Sequence, residues 1–215
     1  MVFYCFPRGK HWGHVKTSFN HNSYAEVSMR SLPFTITILL ALFVSIGTAQ
    51  SLSGQAPARD GFFIGFGVGG GSFGFEGDSE REVGGAAYFK IGGALSDKVL
   101  LGAEIGAWSK EMGEEGISGT VTSSNLNAVA YVYPNPAGGF FLKGGLGFAV
   151  LGAEANLGDF SISESETGLG FTLGAGYDIG FGGRFSLTPH ADFHYGGFEE
   201  GSMNLIRMGL GFNWY

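Results

Sequence analysis

The end of the chain alternates between apolar positions and small or polar positions with a period of two. In residues 204–215 one set of alternate positions is wholly apolar, namely Ile206, Met208, Leu210, Phe212 and Trp214. The intervening positions are mostly polar residues or glycine, with Arg207 and Asn213 among them. Because successive side chains of a strand point to opposite faces, this pattern predicts a β-strand with one apolar face. Aromatic residues at the end of such a strand are typical of a face that meets lipid.

Seven more segments repeat this alternation from Asp60 onward. The eight predicted strands are residues 61–69, 83–95, 99–108, 122–133, 140–150, 168–179, 184–195 and 204–215. Each has about the length that a tilted strand needs to cross a bilayer. In this phasing no charged residue within a strand falls on the apolar face. The eight apolar faces are therefore expected to form one continuous lipid-facing surface.

The connections between the predicted strands alternate in length. Three are short, at residues 96–98, 134–139 and 180–183, and four are mostly longer and acidic, at 70–82, 109–121, 151–167 and 196–202. Outer-membrane barrels place short turns on the periplasmic side and long loops outside. The pattern therefore predicts an all-β fold: a transmembrane up-and-down antiparallel β-barrel of eight strands, with short periplasmic turns, longer extracellular loops and both termini in the periplasm.

The N-terminal region has the features of an export signal. Met29-Arg30 provides a positive start, residues 34–46 are apolar, and small residues precede a cleavage position after Ala49. The apolar run is shorter than the roughly 20 residues of a spanning helix. We therefore expect a mis-assigned start or disordered extension at 1–28, a signal peptide at 29–49, a linker at 50–58 and the barrel at 59–215. Cys5 is the only cysteine, so no disulfide is expected in the exported part.

Glycine and charge content change the picture in two ways. The chain has 40 glycines and a formal net charge of −7. The glycines alternate with aromatic and branched residues, so they indicate strands rather than disorder, and we expect some of them to make room for lumen rings such as Tyr88 and Tyr131. The negative charge argues against a nucleic-acid partner. The acidic loops are interpreted as a solvated rim, or as carboxylates that bridge divalent cations to lipopolysaccharide phosphates.

The faces opposite the apolar ones must fill the lumen. They carry a predicted lumen charge network of Lys90, Glu104, Lys143, Asp178, Arg184, His190, Asp192, His194 and Arg207. A hairpin centred on Asp97 places Lys90 across from Glu104, and the analogous register places Asp178 near Arg184. Because unpaired buried charges are costly, compensating pairs are expected. An eight-stranded barrel is only just wide enough for side chains to fill it, so a polar plug is favoured over a narrow gated pore.

The lumen histidines raise the question of enzymatic or metal chemistry. His190, Asp192 and His194 share one face, a spacing that can bind a metal or orient a general base. They face the lumen together with Ser186, whereas a lipid-modifying enzyme needs its Ser and His where an acyl chain can reach them. The barrel portion also lacks a His-x-Ser pair. We therefore predict no catalytic, cofactor-binding or metal-binding residues and no cofactor.

The signal peptide, the run Phe-Phe-Leu-Lys-Gly-Gly-Leu-Gly at residues 140–147 and the ending at 209–215 resemble the small eight-stranded outer-membrane barrels of Gram-negative bacteria, the OmpA/OmpX-like outer membrane protein β-barrel family. The resemblance covers about residues 58–215. It implies an outer-membrane location in contact with lipid and lipopolysaccharide, whereas the fold hosts several activities. We expect a monomer with a structural or cell-surface interaction role and no enzymatic activity.

The same resemblance implies insertion by the outer-membrane barrel-assembly machinery, which reads the last strand. The candidate signal residues are Gly209, Phe212, Trp214 and Tyr215, although the chain ends in Tyr where Phe is commoner in the family. Two other functions remain open: a narrow passive channel for ions or small solutes, and an enzyme that modifies lipid A.

Overall fold

The structure is a computed structural model that describes residues 57–78, 80–114, 117–157 and 160–215. Its strands are β1 (Phe62–Phe75), β2 (Glu82–Ala94), β3 (Val99–Glu114), β4 (Ile117–Val132), β5 (Phe140–Leu157), β6 (Phe160–Tyr177), β7 (Ile179–Gly180), β8 (Phe185–Phe198) and β9 (Gly201–Trp214). The predicted extension, the signal peptide and most of the linker lie outside these residues. Among the described residues, no helix has the length and hydropathy of a membrane span.

The strands close into an antiparallel barrel. Each long strand pairs with its neighbour in the chain, and β1 pairs with β9 in a register that places Phe66 opposite Phe212. The two-residue β7 continues β6 beyond a break at Asp178 and pairs with β8. Eight long strands therefore form the barrel wall, which confirms the predicted fold class. The predicted register of Lys90 across from Glu104 is also confirmed.

Apolar side chains cover the outside of the barrel wall. Outward positions such as Phe66, Leu146 and Leu210 are 57%, 73% and 49% exposed, whereas Arg207 between outward-facing neighbours is 3% exposed. The alternation of exposed and buried residues follows the predicted phase in the last strand and along the others. The barrel thus presents lipid with an apolar belt and turns its polar residues inward, as the alternation predicts.

At the end of the barrel opposite the chain termini, the strands are longer than predicted. β5 continues to Leu157 and β6 begins at Phe160, whereas the alternation predicted an end at residue 150 and a start at residue 168. The extra residues remain paired, for example Glu154 with Ser163, and the β3–β4 hairpin pairs Glu111 with Thr120. Much of the sequence predicted as long acidic loops is therefore strand. The prediction failed here because the outward positions of these segments are polar residues or glycine, so the lipid-facing apolar phase that marked the strands ends before the strands do.

The barrel interior has two apolar clusters separated by a polar layer. We call the end where β1 begins and β9 ends the terminal end, and the opposite end the distal end. The terminal cluster is Phe63, Leu100, Val129, Tyr131, Tyr133, Phe141 and Tyr215. The distal cluster is Phe73, Trp108, Ala149, Met203 and Leu205. Phe73 stacks on Trp108 with ring centroids 4.9 Å apart, so large side chains close the lumen beyond the polar layer.

Glycines accommodate the bulky groups inside the barrel. A Cβ atom at Gly67 or at Gly211 would overlap the ring or hydroxyl of Tyr88. These two glycines lie opposite each other on β1 and β9. They leave the volume that Tyr88 fills from β2, as the sequence predicts for this ring.

A charge placed on the apolar belt is expected to destabilise the barrel. Leu146 lies midway along the outward apolar positions of β5, so Leu146→Arg should lower the free energy of unfolding in a lipid bilayer by about 2–4 kcal/mol. Glu154→Arg, on the outward face of the same strand beyond the belt, should change it by less than about 1 kcal/mol. Urea titration of both refolded variants measures the difference, and equal effects would contradict the assignment of the belt.

Candidate functional site: the charged layer of the lumen

Five charged side chains from five strands meet between the apolar clusters. They are Lys90 on β2, Glu104 on β3, Lys143 on β5, Asp192 on β8 and Arg207 on β9. Each occupies an inward position of its strand, and none is more than 6% exposed. Alternation directs all five into the narrow lumen, and the strand register brings them to one level, with Lys90 opposite Glu104 and Asp192 opposite Arg207.

Glu104 is the central acceptor of this layer. The Lys143 ammonium lies 2.9 Å from Oε1 and 3.0 Å from Oε2 of Glu104. The hydroxyl of Tyr131 donates to Oε2 at 2.8 Å, and Nη2 of Arg207 lies 3.5 Å from Oε1. Both carboxylate oxygens are thus neutralised by cations, which is the condition under which a carboxylate is tolerated in a dry interior.

Asp192 shares both cations with Glu104. Its Oδ1 lies 2.9 Å from the Lys143 ammonium, and its Oδ2 lies 3.6 Å from Nη2 of Arg207. Arg207 also donates to Oδ1 of Asn125 at 3.2 Å. Two cations therefore bridge two carboxylates, so removal of any one of these side chains leaves an uncompensated buried charge.

Lys90 has a different environment from the other cations. Although it lies across from Glu104 in the β2–β3 register, no ion pair between the two is present. The Lys90 ammonium lies 4.5 Å from the ring centroid of Tyr131 and 5.6 Å from that of Phe141. Its positive charge is therefore stabilised by aromatic faces. Lys143 and Arg207 instead make the ion pairs with Glu104 that the register alone would give to Lys90.

A glycine on β3 makes room for the Arg207 guanidinium. A Cβ atom at Gly106 would overlap Nη1 of Arg207 and would lie 2.7 Å from Oδ1 of Asn125. Gly106 comes two residues after Glu104, on the same inward face. The strand that supplies the central carboxylate therefore also supplies the space for its cationic partner.

Asp178, at the break between β6 and β7, is the centre of a second polar group near the terminal end. Thr188 donates to its Oδ1 at 2.6 Å, and Asn213 donates to the same oxygen at 3.2 Å. The hydroxyls of Tyr215 and Tyr133 donate to Oδ2 at 2.6 and 2.9 Å. Asp178 thus lies in the lumen, but the residues that donate hydrogen bonds to it are different from those around Glu104.

The prediction that Arg184 lies near Asp178 was wrong. The Arg184 side chain is 50% exposed, and its Nη2 lies 3.3 Å from Oδ1 of Asp60. Arg184 directly follows Gly182 and Gly183, whose φ angles of 96° and 65° make a tight turn outside the mouth. Its charge is therefore solvated at the rim, and Arg59 approaches Asp178 instead, at 3.4 Å.

The lumen histidines pack against aromatic and polar neighbours. His190 makes an edge contact with Tyr88 at 4.8 Å between ring centroids, and its Nε2 lies 3.9 Å from Oδ2 of Asp192. His194 is fully buried. Among the described residues, no group of three or more His, Cys, Asp or Glu side chains is placed to hold a metal ion. A cavity of about 10 Å³ beside Tyr88 and Arg207 has room for about one water molecule.

The four residues of the candidate assembly signal point in different directions. Phe212 and Trp214 face outward and are 51% and 48% exposed. Tyr215 is 2% exposed and hydrogen-bonds inside the mouth, while Gly209 lies against the backbone of Val68. Their role as an assembly signal stays a prediction.

Several polar residues of the site were missing from the predicted network. Asn125, Asn127 and Tyr133 are buried in the lumen. All three share the inward phase of Tyr131, so strict use of the alternation would have included them. Arg59 shares the phase of the inward residues of β1, but it precedes the first apolar residue of that strand, so the predicted network did not extend to it.

Comparisons with known proteins agree with this geometry. A sequence profile of the outer membrane protein beta-barrel domain matches residues 37–214. The fold is similar to that of Ail, the attachment invasion locus protein of Yersinia pestis, with a TM-score of 0.56, 16% identity and coverage of 72% of this chain and 99% of that chain. It is also similar to Neisserial surface protein A, with a TM-score of 0.53, 13% identity and coverage of 72% and 97%. No curated protein sequence matches the chain.

Removal of the central carboxylate charge is expected to destabilise the barrel strongly. Glu104→Gln leaves Lys143 and Arg207 with only Asp192 as a counter-charge, so the free energy of unfolding should fall by about 3–5 kcal/mol. Glu82→Gln makes the same charge change in the exposed pair with Lys110 and should cost less than about 1 kcal/mol. Unfolding of both variants in urea measures the two effects. A small effect at Glu104 would argue against its central role.

Proposed function

Because the chain belongs to the outer membrane protein beta-barrel domain family, we propose that it is an integral outer-membrane protein with a structural or cell-surface interaction role. The family places it in the outer membrane. In this proposal residues 29–49 direct export, the barrel-assembly machinery reads Gly209, Phe212, Trp214 and Tyr215, and the folded protein is a non-enzymatic monomer in contact with lipid and lipopolysaccharide.

The observation that carries this proposal is the length of two hairpins relative to the apolar belt. On β5 the outward apolar residues end at Val150, but the strand continues for seven residues to Leu157. At about 3.3 Å per residue the strand reaches roughly 20 Å beyond the belt. The β3–β4 hairpin also extends past its last outward apolar residue, Ala107, to Glu114. With both termini in the periplasm, these hairpins would project from the cell surface and offer paired strands to a partner.

The charge of the distal end limits the chemistry of such a partner. Its described carboxylates are Glu76, Asp78, Glu80, Glu82, Glu111, Glu154, Glu164, Glu166, Glu199 and Glu200. The described cations there are Arg81, which donates to Ser72 and Asn204, and Lys110, which pairs with Glu82. This rim repels polyanions and favours cationic surfaces, or lipopolysaccharide bridged by divalent cations. A structure of Ail contains the heparin analogue sucrose octasulfate, and the acidic rim argues against a similar ligand here.

The filled lumen supports a role without transport. The charged layer lies between the terminal and distal clusters, and Trp108, Tyr131 and Leu205 within these clusters are each 1% exposed. The indole of Trp108 donates to the carbonyl of Gly71 at 3.0 Å, which fixes its ring in the lumen over β2. His190 and His194 face this interior, away from acyl chains, which supports a non-enzymatic role over lipid A modification.

A narrow passive channel is the second candidate. One observation favours it. Neither Oδ1 nor Nδ2 of buried Asn127 has a hydrogen-bond partner among the described residues, and the same holds for Nδ2 of Asn125. Polar atoms in this state usually bond to water, so the charged layer is suited to a few water molecules. Conduction along this layer would require the rings of both apolar clusters to move aside.

Conductance in a planar lipid bilayer separates the two candidates. We expect no steady unitary conductance from the refolded protein, because the two apolar clusters block the path of an ion. Lys90→Ala and Glu104→Ala serve as paired variants that alter the charged layer. A steady conductance that either variant abolishes would favour the channel and overturn the non-conducting role.

Labelling on intact cells tests the projection of the hairpins. In a Cys5→Ser chain, Glu111→Cys on β3 should react with a membrane-impermeant maleimide without permeabilisation. Lys98→Cys, in the connection between β2 and β3 at the terminal end, should react only after the outer membrane is permeabilised. The reverse pattern would invert the proposed orientation, and labelling of neither residue on intact cells would argue against a cell-surface role.

A further inference from the structure

Arg59 lies on the segment that enters β1, yet its side chain is inside the barrel. It precedes the strand by three residues, and its side chain is 2% exposed. The neighbouring Asp60 side chain is 73% exposed. The entry segment therefore turns a single cation into the mouth at the terminal end, where burial of an unmatched charge would be costly.

The mouth matches the shape and charge of a guanidinium group. Nη1 of Arg59 donates to the carbonyl of Pro136 at 3.2 Å, and Nη2 donates to the carbonyl of Gly138 at 3.0 Å. Nη2 also lies 3.4 Å from Oδ2 of Asp178. The guanidinium carbon lies 3.7 Å from the ring centroid of Tyr133, so the planar group stacks on an aromatic face. Planar stacking with several diverging donors is a property of Arg that Lys does not share.

The receptor for this group is held in place by residues other than Arg59. Asp178 accepts hydrogen bonds from Tyr133, Tyr215, Thr188 and Asn213. The hydroxyls of Tyr133 and Tyr215 also lie 3.0 Å apart, which fixes both rings. The carboxylate and the aromatic wall are thus positioned by β4, β8 and β9 and the connections beside them. A site fixed in this way remains formed when its occupant is removed.

We propose that the mouth at the terminal end is a guanidinium-binding site, formed by Asp178, Tyr133 and the carbonyls of Pro136 and Gly138, which the chain occupies with its own Arg59. The occupied site fastens the entry segment of β1 across the mouth and ties it to the end of β9, the two strands that close the barrel. The proposal is independent of the surface role proposed above, because it concerns the opposite end of the barrel.

Once the Arg59 side chain is absent, the site is expected to admit a guanidinium from solution. Arg59→Ala should lower the melting temperature of the refolded full chain by about 5 °C or more, since it removes charged hydrogen bonds and leaves Asp178 without its cation. Millimolar methylguanidinium should restore part of this loss. Methylammonium at the same concentration should not, because it lacks the planar set of donors.

Arg184→Ala is the matched control. It removes a guanidinium at the same end of the barrel, but from an exposed pair with Asp60. It should therefore change the melting temperature little, and methylguanidinium should have no effect on it. In the double variant Arg59→Ala and Asp178→Asn the rescue should be lost, because the counter-charge of the site is removed.

Three outcomes would overturn the proposal: an unchanged melting temperature in Arg59→Ala, equal rescue by methylammonium, or equal rescue of the double variant. If Arg59→Ala fails to refold, the yield of folded barrel replaces the melting temperature as the readout. Methylguanidinium should then raise that yield and methylammonium should not. Equal yields with the two cations would contradict a guanidinium site.

Discussion

The width of the lumen is the constraint on which the rest of this structure depends. Eight strands enclose a space that side chains only just fill, so a large inward group is possible only where a neighbouring strand contributes none. Tyr88 has its volume because Gly67 and Gly211 lack a Cβ atom, and the Arg207 guanidinium has its volume because of Gly106. The high glycine content of the chain is thus a packing property of a narrow barrel, and not a sign of disorder.

The same narrow space determines which charges pair. A buried carboxylate needs a cation and hydrogen-bond donors for its remaining lone pairs, and around Glu104 the cations come from long side chains that reach into the lumen. Lys143 and Arg207 reach Glu104 from strands β5 and β9, neither of which pairs with β3. Lys90, from the adjacent strand, remains over the ring of Tyr131. For Glu104, pairing across the lumen therefore prevails over pairing along the β2–β3 hairpin, whereas Arg207 also lies near Asp192, its neighbour in the β8–β9 hairpin.

Alternation was sufficient to predict the barrel, the outward belt and the inward position of most charged residues, because period-two patterning and closure together fix each side chain's face. It could not predict which charges meet, since partners such as Glu104 and Lys143 come from strands that are not neighbours in the sheet. It also underestimated β5 and β6, because their outward positions become polar residues or glycine before the strands end. The predicted network left out Arg59 because this residue precedes the first apolar position of β1.

Arg184 and Arg59, both near the terminal end, show what decides whether an arginine side chain reaches solvent or enters the lumen. Arg184 follows a glycine turn and reaches solvent, where its charge is stable without help. Arg59 can enter the mouth because Asp178, two backbone carbonyls and the Tyr133 ring replace the water that it loses. Asp178 in turn keeps the inward phase of β6 and β7 across the break between them, with exposed Tyr177 on one side and buried Gly180 beyond it. The strand alternation thus supplies the carboxylate that links Arg59, at the start of the barrel, to Tyr215, at its end.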